Sequence, residues 1–344
     1  MNLDDAITRL KIYLTNNPQK LKEEQEVIGK YGPMFNPAAL NQLTKEQFKS
    51  FLLFKNNKNW MGIHRQGNII TKNMPKLRKA LKILLDEKTD LKDRLNKLFP
   101  PNKPNLIKGL GRAVITPILM IVYPDKYGTY NKRIEVGLKI LGLNPEFKGK
   151  SFAERYIKVN SILTDITQKY GVNFFQLDDM FGYMYKEENG NSENDEHPFI
   201  NVGGETIEDV VSFGLEKHLE DFLIHNWAKT PLGKQLEIFE EDGDIAQQFD
   251  TGAIGRIDIL TRDKKTKDWV VIELKKGRDS DKVVGQILRY IGWVQENKAA
   301  NGEKVRGIII AGEPDDRIRY ALRSVPNIEF LVYEVKFILK KVEE

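Results

Sequence analysis

The spacing of apolar residues divides the chain into two parts with different secondary structure. Up to about residue 185, apolar positions recur at intervals of three and four, which is typical of amphipathic helices. Leucines at these intervals predict a long helix over residues 76–99, which Pro100 and Pro101 end. Further helices are predicted over 112–122, 132–141, 152–170 and 176–185. Residues 1–185 are therefore predicted to form a mainly α-helical domain.

The segment 186–205 has neither a helical nor a strand pattern. It is acidic, rich in asparagine and poor in large apolar residues. Such a segment cannot bury enough apolar surface to compensate for the conformational entropy that ordering costs. We predict a polar linker or a long loop over 186–205.

From residue 206 onwards the pattern predicts helices that alternate with strands. The predicted helices cover 207–226, 282–297 and 317–325, and the predicted strands cover 236–241, 254–262, 269–274, 306–311 and 328–337. Asp279 or Ser280 is well placed to cap the helix over 282–297. The apolar run from Gly307 to Ala311 suits a strand that is covered on both faces. Residues 206–344 are therefore predicted to form an α/β domain.

Composition and charge narrow the function classes. The 344 residues, 40% of them hydrophobic, are enough for two domains with real cores. A net charge of +5 permits a nucleic-acid partner without requiring one. The absence of cysteine excludes disulfides, thiolate zinc sites and cysteine nucleophiles, and fits a reducing cytosol. No signal peptide is recognisable, and the longest apolar runs are too short to span a bilayer, so we expect a cytoplasmic protein without membrane contact.

Two neighbouring strands of the second part carry the residues with the clearest chemistry. Asp258 interrupts one apolar strand, and Glu273 and Lys275 lie at the end of the next. Side chains alternate along a strand, so Glu273 and Lys275 share a face. If the two strands pair through the polar turn 263–268, Asp258 lies beside Glu273. Two close carboxylates repel each other unless a cation or a proton lies between them, and a site with few carboxylates and several waters suits Mg²⁺, for which Mn²⁺ is expected to substitute.

The predicted helices on either side supply further candidates. Glu216 and Glu220 lie one turn apart, and one of them is a candidate additional metal ligand. Gln286, Arg289 and Tyr290 share a face of their helix and are candidates to line the site. Lys275 is placed to orient a water molecule for attack on phosphate. The alternative for Asp258, Glu273 and Lys275 is a surface ion-pair cluster, but charged residues within apolar strands are expensive to bury. The alternative for Gln286 and Tyr290 is that they only pack their helix.

The spacing from Asp258 to Glu273-Leu-Lys275 resembles the PD-(D/E)XK nuclease pattern. The wider sequence resembles the catalytic domain of the NucS-type endonucleases, from about residue 206 to 337. The resemblance lies in four segments: Leu215 to Leu223, Gly255 to Leu260, Val271 to Lys275, and Lys282 to Tyr290. It implies a restriction-endonuclease-like fold, in which helices flank a mixed central sheet. It also implies that Asp258, Glu273 and Lys275 are catalytic and that Glu216, Gln286 and Tyr290 line the site.

The resemblance implies metal-dependent DNA endonuclease activity, in repair or in defence against foreign DNA. Arg256 and Arg289 flank the cluster and are predicted to contact DNA. The alternatives are a non-catalytic DNA-binding module on the same fold, and an RNA-cleaving relative. A homodimer is a further hypothesis, because two single sites would allow both strands to be cut. Two departures from the family are the isoleucine at position 257, where the pattern is named for proline, and an N-terminal half that lacks the family's β-rich character.

One motif in the helical part also predicts DNA contact. The segment from Ile107 to Ala113 resembles the turn of a helix-hairpin-helix element. Gly109 and Gly111 would let the backbone approach a phosphate, and the following helix, with Arg112, would hold it. The alternative is an ordinary turn between two helices.

Overall fold

The computed structural model describes residues 2–101, 103–189, 219–275, 280–300 and 302–334. The chain forms two compact units. Unit 1 comprises Met1–Ser192 together with Glu240–Ile245, and unit 2 comprises Glu193–Phe239 and Ala246–Glu344. Most of the predicted linker, 186–205, lies outside the described residues. The domain boundaries proposed from the sequence therefore stay predictions.

Unit 1 is built almost entirely from helices. Their bounds are α1 Leu3–Asn16, α2 Gln19–Phe35, α3 Lys45–Leu52, α4 Phe54–Asn57, α5 Gly67–Ile70, α6 Met74–Leu84, α7 Leu91–Leu98, α8 Arg112–Val122, α9 Lys132–Ile140, α10 Phe152–Tyr170 and α11 Phe174–Asn189. The limits of α10 have clear local causes. A capping box between Ser151 and Glu154 starts the helix, and Gly171, in the left-handed region, ends it. Residues 240–245 add a small hairpin, β2 Glu240–Glu241 and β3 Asp244–Ile245.

The single helix predicted over 76–99 is wrong, because the chain forms α6 and α7 with a turn between them. Asp86 accepts hydrogen bonds from the Lys88 amide at 3.2 Å and from the Thr89 hydroxyl at 2.7 Å. Asp90 then caps α7 by accepting from the Lys92 amide at 2.8 Å. These short acidic side chains compete for the backbone and break the helix, although the leucine pattern continues across the turn. The leucines of α6, with Leu95 and Leu98 of α7, are buried in the core of unit 1, and Leu91 packs against it.

The core of unit 1 contains a cluster of aromatic side chains. Phe35 and Phe51 meet edge to face, with ring centroids 4.9 Å apart, and Phe48 packs edge-on against both. All three are completely buried. Edge-to-face geometry matches the positive ring edge to the negative ring face, so this cluster stabilises the unit beyond the area that it buries.

Unit 2 contains a six-stranded mixed sheet with helices packed against it. The strands are β1 Leu236–Ile238, β4 Gln247–Asp250, β5 Arg256–Asp263, β6 Trp269–Leu274, β7 Val305–Ala311 and β8 Ile328–Val332. The order is β1-β5-β6-β7-β8, and β4 also pairs with β5. Strands β1, β4 and β6 run antiparallel to β5, whereas β6, β7 and β8 are parallel. The helices are α12, described over 219–226, then α13 Pro231–Gln235, α14 Ser280–Asn297 and α15 Asp316–Leu322.

Close contact between α14 and the sheet fixes the position of this helix. A side chain at Gly307 of β7 would collide with Ile287, since an added Cβ would lie 2.7 Å from its Cδ1 atom. The apolar face of α14 includes Ile287, Ile291 and Val294, all of which are buried. The predicted fold class is confirmed: unit 2 has a mixed sheet flanked by helices, and unit 1 is mainly helical. Strand β4 was not predicted, and Asp279, one of the two predicted caps of α14, lies outside the described residues.

None of the helices in the described part of the chain is long and apolar enough to cross a membrane.

Candidate active site

Asp258 and Glu273 face each other on the adjacent antiparallel strands β5 and β6. The ladder pairs Ile259 with Ile272, which sets Asp258 opposite Glu273. The Asp258 amide donates to Glu273 Oε1 at 3.3 Å, and the Leu274 amide donates to Asp258 Oδ2 at 2.8 Å. The two residues are only 3% and 2% exposed. Two buried carboxylates are thus brought together and held by backbone amides, which is the arrangement that the sequence predicts.

A third carboxylate, Glu220 of α12, joins the pair through the side chain of Gln248. The Gln248 Nε2 atom donates to Glu220 Oε2 and to Asp258 Oδ1, each at 2.7 Å. Gln247 Nε2 donates to the other Glu220 oxygen at 2.8 Å. Glu220 is 7% exposed. Glu216, the other candidate on this helix, lies outside the described residues.

Gln248 was not among the residues that the sequence singles out. The segment Gln247–Asp250 is polar and short, so it carries little of the apolar alternation by which strands are recognised. The structure marks Gln248 by its backbone conformation, since its φ of +52° lies in the left-handed region. Residues other than glycine rarely adopt that conformation, and those that do cluster at functional sites.

Two residues of α14 complete the site on the Glu273 side. Gln286 Nε2 donates to Glu273 Oε2 at 3.1 Å and lies 3.3 Å from the Tyr290 hydroxyl, which accepts. Tyr290 is 2% exposed. Burial, with a further contribution from the negative charge of Glu273, raises the pKa of Tyr290 to about 12. Tyr290 is therefore a neutral hydroxyl at physiological pH and does not serve as a base.

Gly255 lets Tyr290 approach the start of β5. Its φ is +114° and its ψ is −156°, a combination that is essentially confined to glycine. A Cβ atom at this position would lie 2.7 Å from the Tyr290 hydroxyl oxygen. Glycine is therefore required here both for the backbone conformation and for the space that Tyr290 fills.

Lys275 follows directly after β6 and is held by Asp315. Its Nζ atom donates to Asp315 Oδ2 at 2.6 Å, and both side chains are largely buried. The other oxygen of Asp315 caps α15 by accepting from the amides of Arg317 and Ile318 at 2.9 and 3.3 Å. One carboxylate thus fixes both the lysine and the helix. Asp315 was also missed from the sequence, because it resembles any other helix cap.

The two arginines predicted to contact DNA lie on the elements that carry the site. Arg256 is partly exposed at the start of β5, two residues before Asp258, and Arg289 is exposed on α14 next to Tyr290. Their contact with DNA stays a prediction.

The helix-hairpin-helix-like segment of unit 1 is engaged by the hairpin β2–β3. The Arg112 amide donates to the Asp242 carbonyl at 3.0 Å, and the Ala113 amide donates to Asp244 Oδ2 at 3.3 Å. Gly111 packs against Asp244 so closely that a side chain there would collide with it. The N-terminus of α8 does have a hydrogen-bond acceptor, but that acceptor is the carboxyl group of this chain's own Asp244.

Arg112 is likewise occupied inside unit 1. It is 5% exposed and pairs with Glu135 at 2.6 Å and with Asp242 at 3.1 Å. Gly109, with φ +76°, forms the turn itself, and a Cβ there would lie 3.4 Å from Ile245 of the hairpin. This geometry argues against the predicted phosphate contacts of Gly109, Gly111 and Arg112. The sequence pattern could not reveal a competing carboxylate about 130 positions away.

The donor set of the site suits a hard divalent cation. Asp258, Glu273 and Glu220 offer carboxylate oxygens, which Mg²⁺ and Mn²⁺ prefer. Within the described ranges, no group of three or more acidic or histidine side chains already converges as a metal cage. The Gln248 amide lies between Glu220 and Asp258 and donates to both. Mg²⁺ commonly binds through one or two carboxylates plus waters, so the residues present fit such an ion.

The chain is similar to known proteins over part of its length. A solved structure of a repair endonuclease from Pyrococcus abyssi is similar over 39% of this chain and half of its own length, with 20% sequence identity and a TM-score of 0.27. Residues 234–334 match the family model of the endonuclease NucS C-terminal domain. The matched segment contains Asp258, Glu273, Lys275, Gln286 and Tyr290. The resemblance of the C-terminal region to the NucS-type endonucleases is thus confirmed for residues 234–334.

Proposed function

We propose that unit 2 is a divalent-metal-dependent DNA endonuclease that acts in DNA repair or in defence against foreign DNA. The observation that carries the proposal is the buried cross-strand pair of Asp258 and Glu273. Lys275 lies two residues after Glu273, and all three residues belong to the segment that matches the NucS C-terminal domain. Burying two facing carboxylates is costly unless a cation or a proton offsets their repulsion. A bound divalent cation would offset that cost.

The cation is Mg²⁺ in this proposal, and Mn²⁺ substitutes for it. Asp258 and Glu273 would hold it, with Glu220 as the third carboxylate. When bound, a divalent cation acidifies a water molecule and supplies positive charge where the phosphate accumulates negative charge. Glu216 stays a candidate ligand from the sequence alone.

The remaining residues of the site have positioning and hydrogen-bonding roles. Lys275, held by Asp315, directs an ammonium group that can donate to the attacking water or to a phosphate oxygen. Gln286 fixes Oε2 of Glu273 by donating a hydrogen bond to it. Tyr290 presents a neutral hydroxyl group beside Gln286. Arg256 and Arg289 neutralise the DNA backbone, a contact that positions the strand without reading its sequence.

The test is a cleavage assay on a panel of single-stranded, duplex, mismatched, branched and modified DNA, with matched RNA strands. Each substrate is incubated with Mg²⁺, Mn²⁺ or EDTA. The wild-type protein is compared with Glu273→Gln, which keeps the size of the side chain and removes its charge. The matched control is Glu329→Gln, the same change on β8, where the side chain is 60% exposed and pairs with Arg306.

We expect metal-dependent cleavage of DNA that Glu273→Gln abolishes and Glu329→Gln retains. A protein that shifts DNA in a gel but cuts none of the panel would be a binding module on a nuclease fold. Cleavage confined to the RNA lanes would identify an RNA-cleaving relative. Either result contradicts the proposal.

A homodimer would let two such sites cut both strands of a duplex. Light scattering coupled to gel filtration, with and without DNA, tests this part separately. A monomer under both conditions contradicts it and leaves the chemistry of the single site unchanged.

A further inference from the structure

Gln248 lies between two acidic residues of the site. The ladder pairs Gln247 with Ile259 and Phe249 with Ile257, so Gln248 is opposite Asp258. A side-chain amide nitrogen carries two hydrogens. Here one is directed to Asp258 Oδ1 and one to Glu220 Oε2, both at 2.7 Å. The amide therefore does for these carboxylates what a shared cation would do: it links two buried anions through one electropositive group.

The backbone at Gln248 is held in an unfavourable conformation. Its φ of +52° is disfavoured for any residue with a Cβ atom. The chain retains such a conformation only when surrounding contacts determine it, and it is common where a side chain must be aimed at a ligand. Gln247, the neighbour with the same side chain, does not have a positive φ and contacts Glu220 and Asp221 instead. The strain thus coincides with the glutamine that bridges to Asp258.

We propose that Gln248 is a positioning residue that holds Asp258 and Glu220 as a pair of metal ligands. Its amide keeps the two carboxylates at a common centre. A divalent cation held by both carboxylates would take the amide's place between them. This inference rests on the metal-dependent function proposed above and deepens it. It assigns the site a residue that sets the spacing of Asp258 and Glu220.

Two variants of Gln248 test the role of its amide. Gln248→Glu keeps the length of the side chain and places a third carboxylate among the other two. In EDTA the added repulsion lowers the melting temperature, by on the order of 5 °C. Mn²⁺ restores the melting temperature and binds on the order of tenfold more tightly, because the site gains an anionic ligand. Gln248→Gly relaxes the backbone and removes the amide, and Mn²⁺ binding weakens on the order of tenfold.

The matched control is Gln247→Glu, the same substitution one residue earlier. It also places a carboxylate beside Glu220, but Gln247 makes no hydrogen bond to Asp258 in the described contacts. We expect Gln247→Glu to lower the melting temperature in EDTA. Mn²⁺ should raise the melting temperature of this variant no more than it raises that of the wild-type protein.

The measurements are calorimetric titration of the full chain with Mn²⁺ alone, and thermal unfolding in EDTA and in Mn²⁺. Wild-type Mn²⁺ affinity in Gln248→Gly, or equal recovery of Gln247→Glu and Gln248→Glu in Mn²⁺, overturns the role of Gln248. A wild-type protein that binds no Mn²⁺ contradicts the proposed function itself. The two failures are thus distinguishable.

Discussion

Replacing Gly255 by alanine should lower the free energy of unfolding through two separable effects. The first is conformational, because φ +114° and ψ −156° lie in a region that is essentially confined to glycine. The second is steric, because the new Cβ would lie 2.7 Å from the Tyr290 hydroxyl, well inside the roughly 3.5 Å of an unstrained contact. Each effect costs about 2 kcal/mol. Together they lower the melting temperature of unit 2 by roughly 8–16 °C.

A double-mutant cycle with Tyr290→Phe separates the two costs. Without the hydroxyl, the nearest ring atoms would lie 3.6 and 3.7 Å from the Cβ, which are ordinary contacts. Tyr290→Phe should therefore recover only the steric part, a coupling free energy of about 2 kcal/mol. The assay is thermal and urea unfolding of the wild type, both single variants and the double variant.

The control is Gly285→Ala on the exposed side of α14, where an added Cβ meets nothing within 4 Å. Alanine is the better helix former, so this change should stabilise by about 0.5–1 kcal/mol. Strict additivity of Gly255→Ala and Tyr290→Phe would refute the packing argument. A Gly255→Ala protein as stable as Gly285→Ala would refute both costs.

Two further predictions concern Asp315 and Asp244. The substitution Asp315→Asn keeps an acceptor for the α15 cap but turns an N–H donor toward Lys275. We therefore expect kcat in steady-state cleavage assays to fall about 10- to 100-fold, with KM unchanged. An unchanged kcat would show that Asp315 has no role in the mechanism. Burial raises the pKa of Asp244 to about 7, above its value in the unfolded chain, so folding favours the protonated carboxyl group. The stability that this protonation contributes is lost as the pH rises through 7. Helix unfolding followed by circular dichroism should therefore show wild-type stability falling from pH 5 to 8 more steeply than that of Asp244→Asn, and parallel curves would contradict this assignment.

Local sequence signals recovered the parts of the fold that depend on local interactions. The bounds of α10 follow from the Ser151 cap and Gly171, and β6 follows from the apolar run Trp269–Ile272 after the polar turn. The polar turn 263–268 predicts the antiparallel pairing of β5 with β6, and with it the meeting of Asp258 and Glu273. Each of these features is decided within a few residues of chain.

The features that sequence reasoning missed depend on distant partners or on polar backbone competition. Nothing near Gly111 indicates that Asp244 will occupy the amides of α8, since the two are far apart in the chain. The break between α6 and α7 lies within an intact leucine pattern, and only the hydrogen bonds of Asp86 and Asp90 reveal it. Gln248 was missed because its importance lies in a positive φ and a shared amide, neither of which leaves an apolar pattern.

The central claim is that Asp258 and its neighbours cleave DNA with a divalent cation. The most direct measurement is the single-turnover rate of DNA cleavage as a function of Mn²⁺ concentration, for the wild type and for Asp258→Asn. The account predicts a rate that rises from zero with Mn²⁺ and saturates in the wild type, and no cleavage by the variant at any concentration. Cleavage in EDTA, or a variant as active as the wild type, would contradict it.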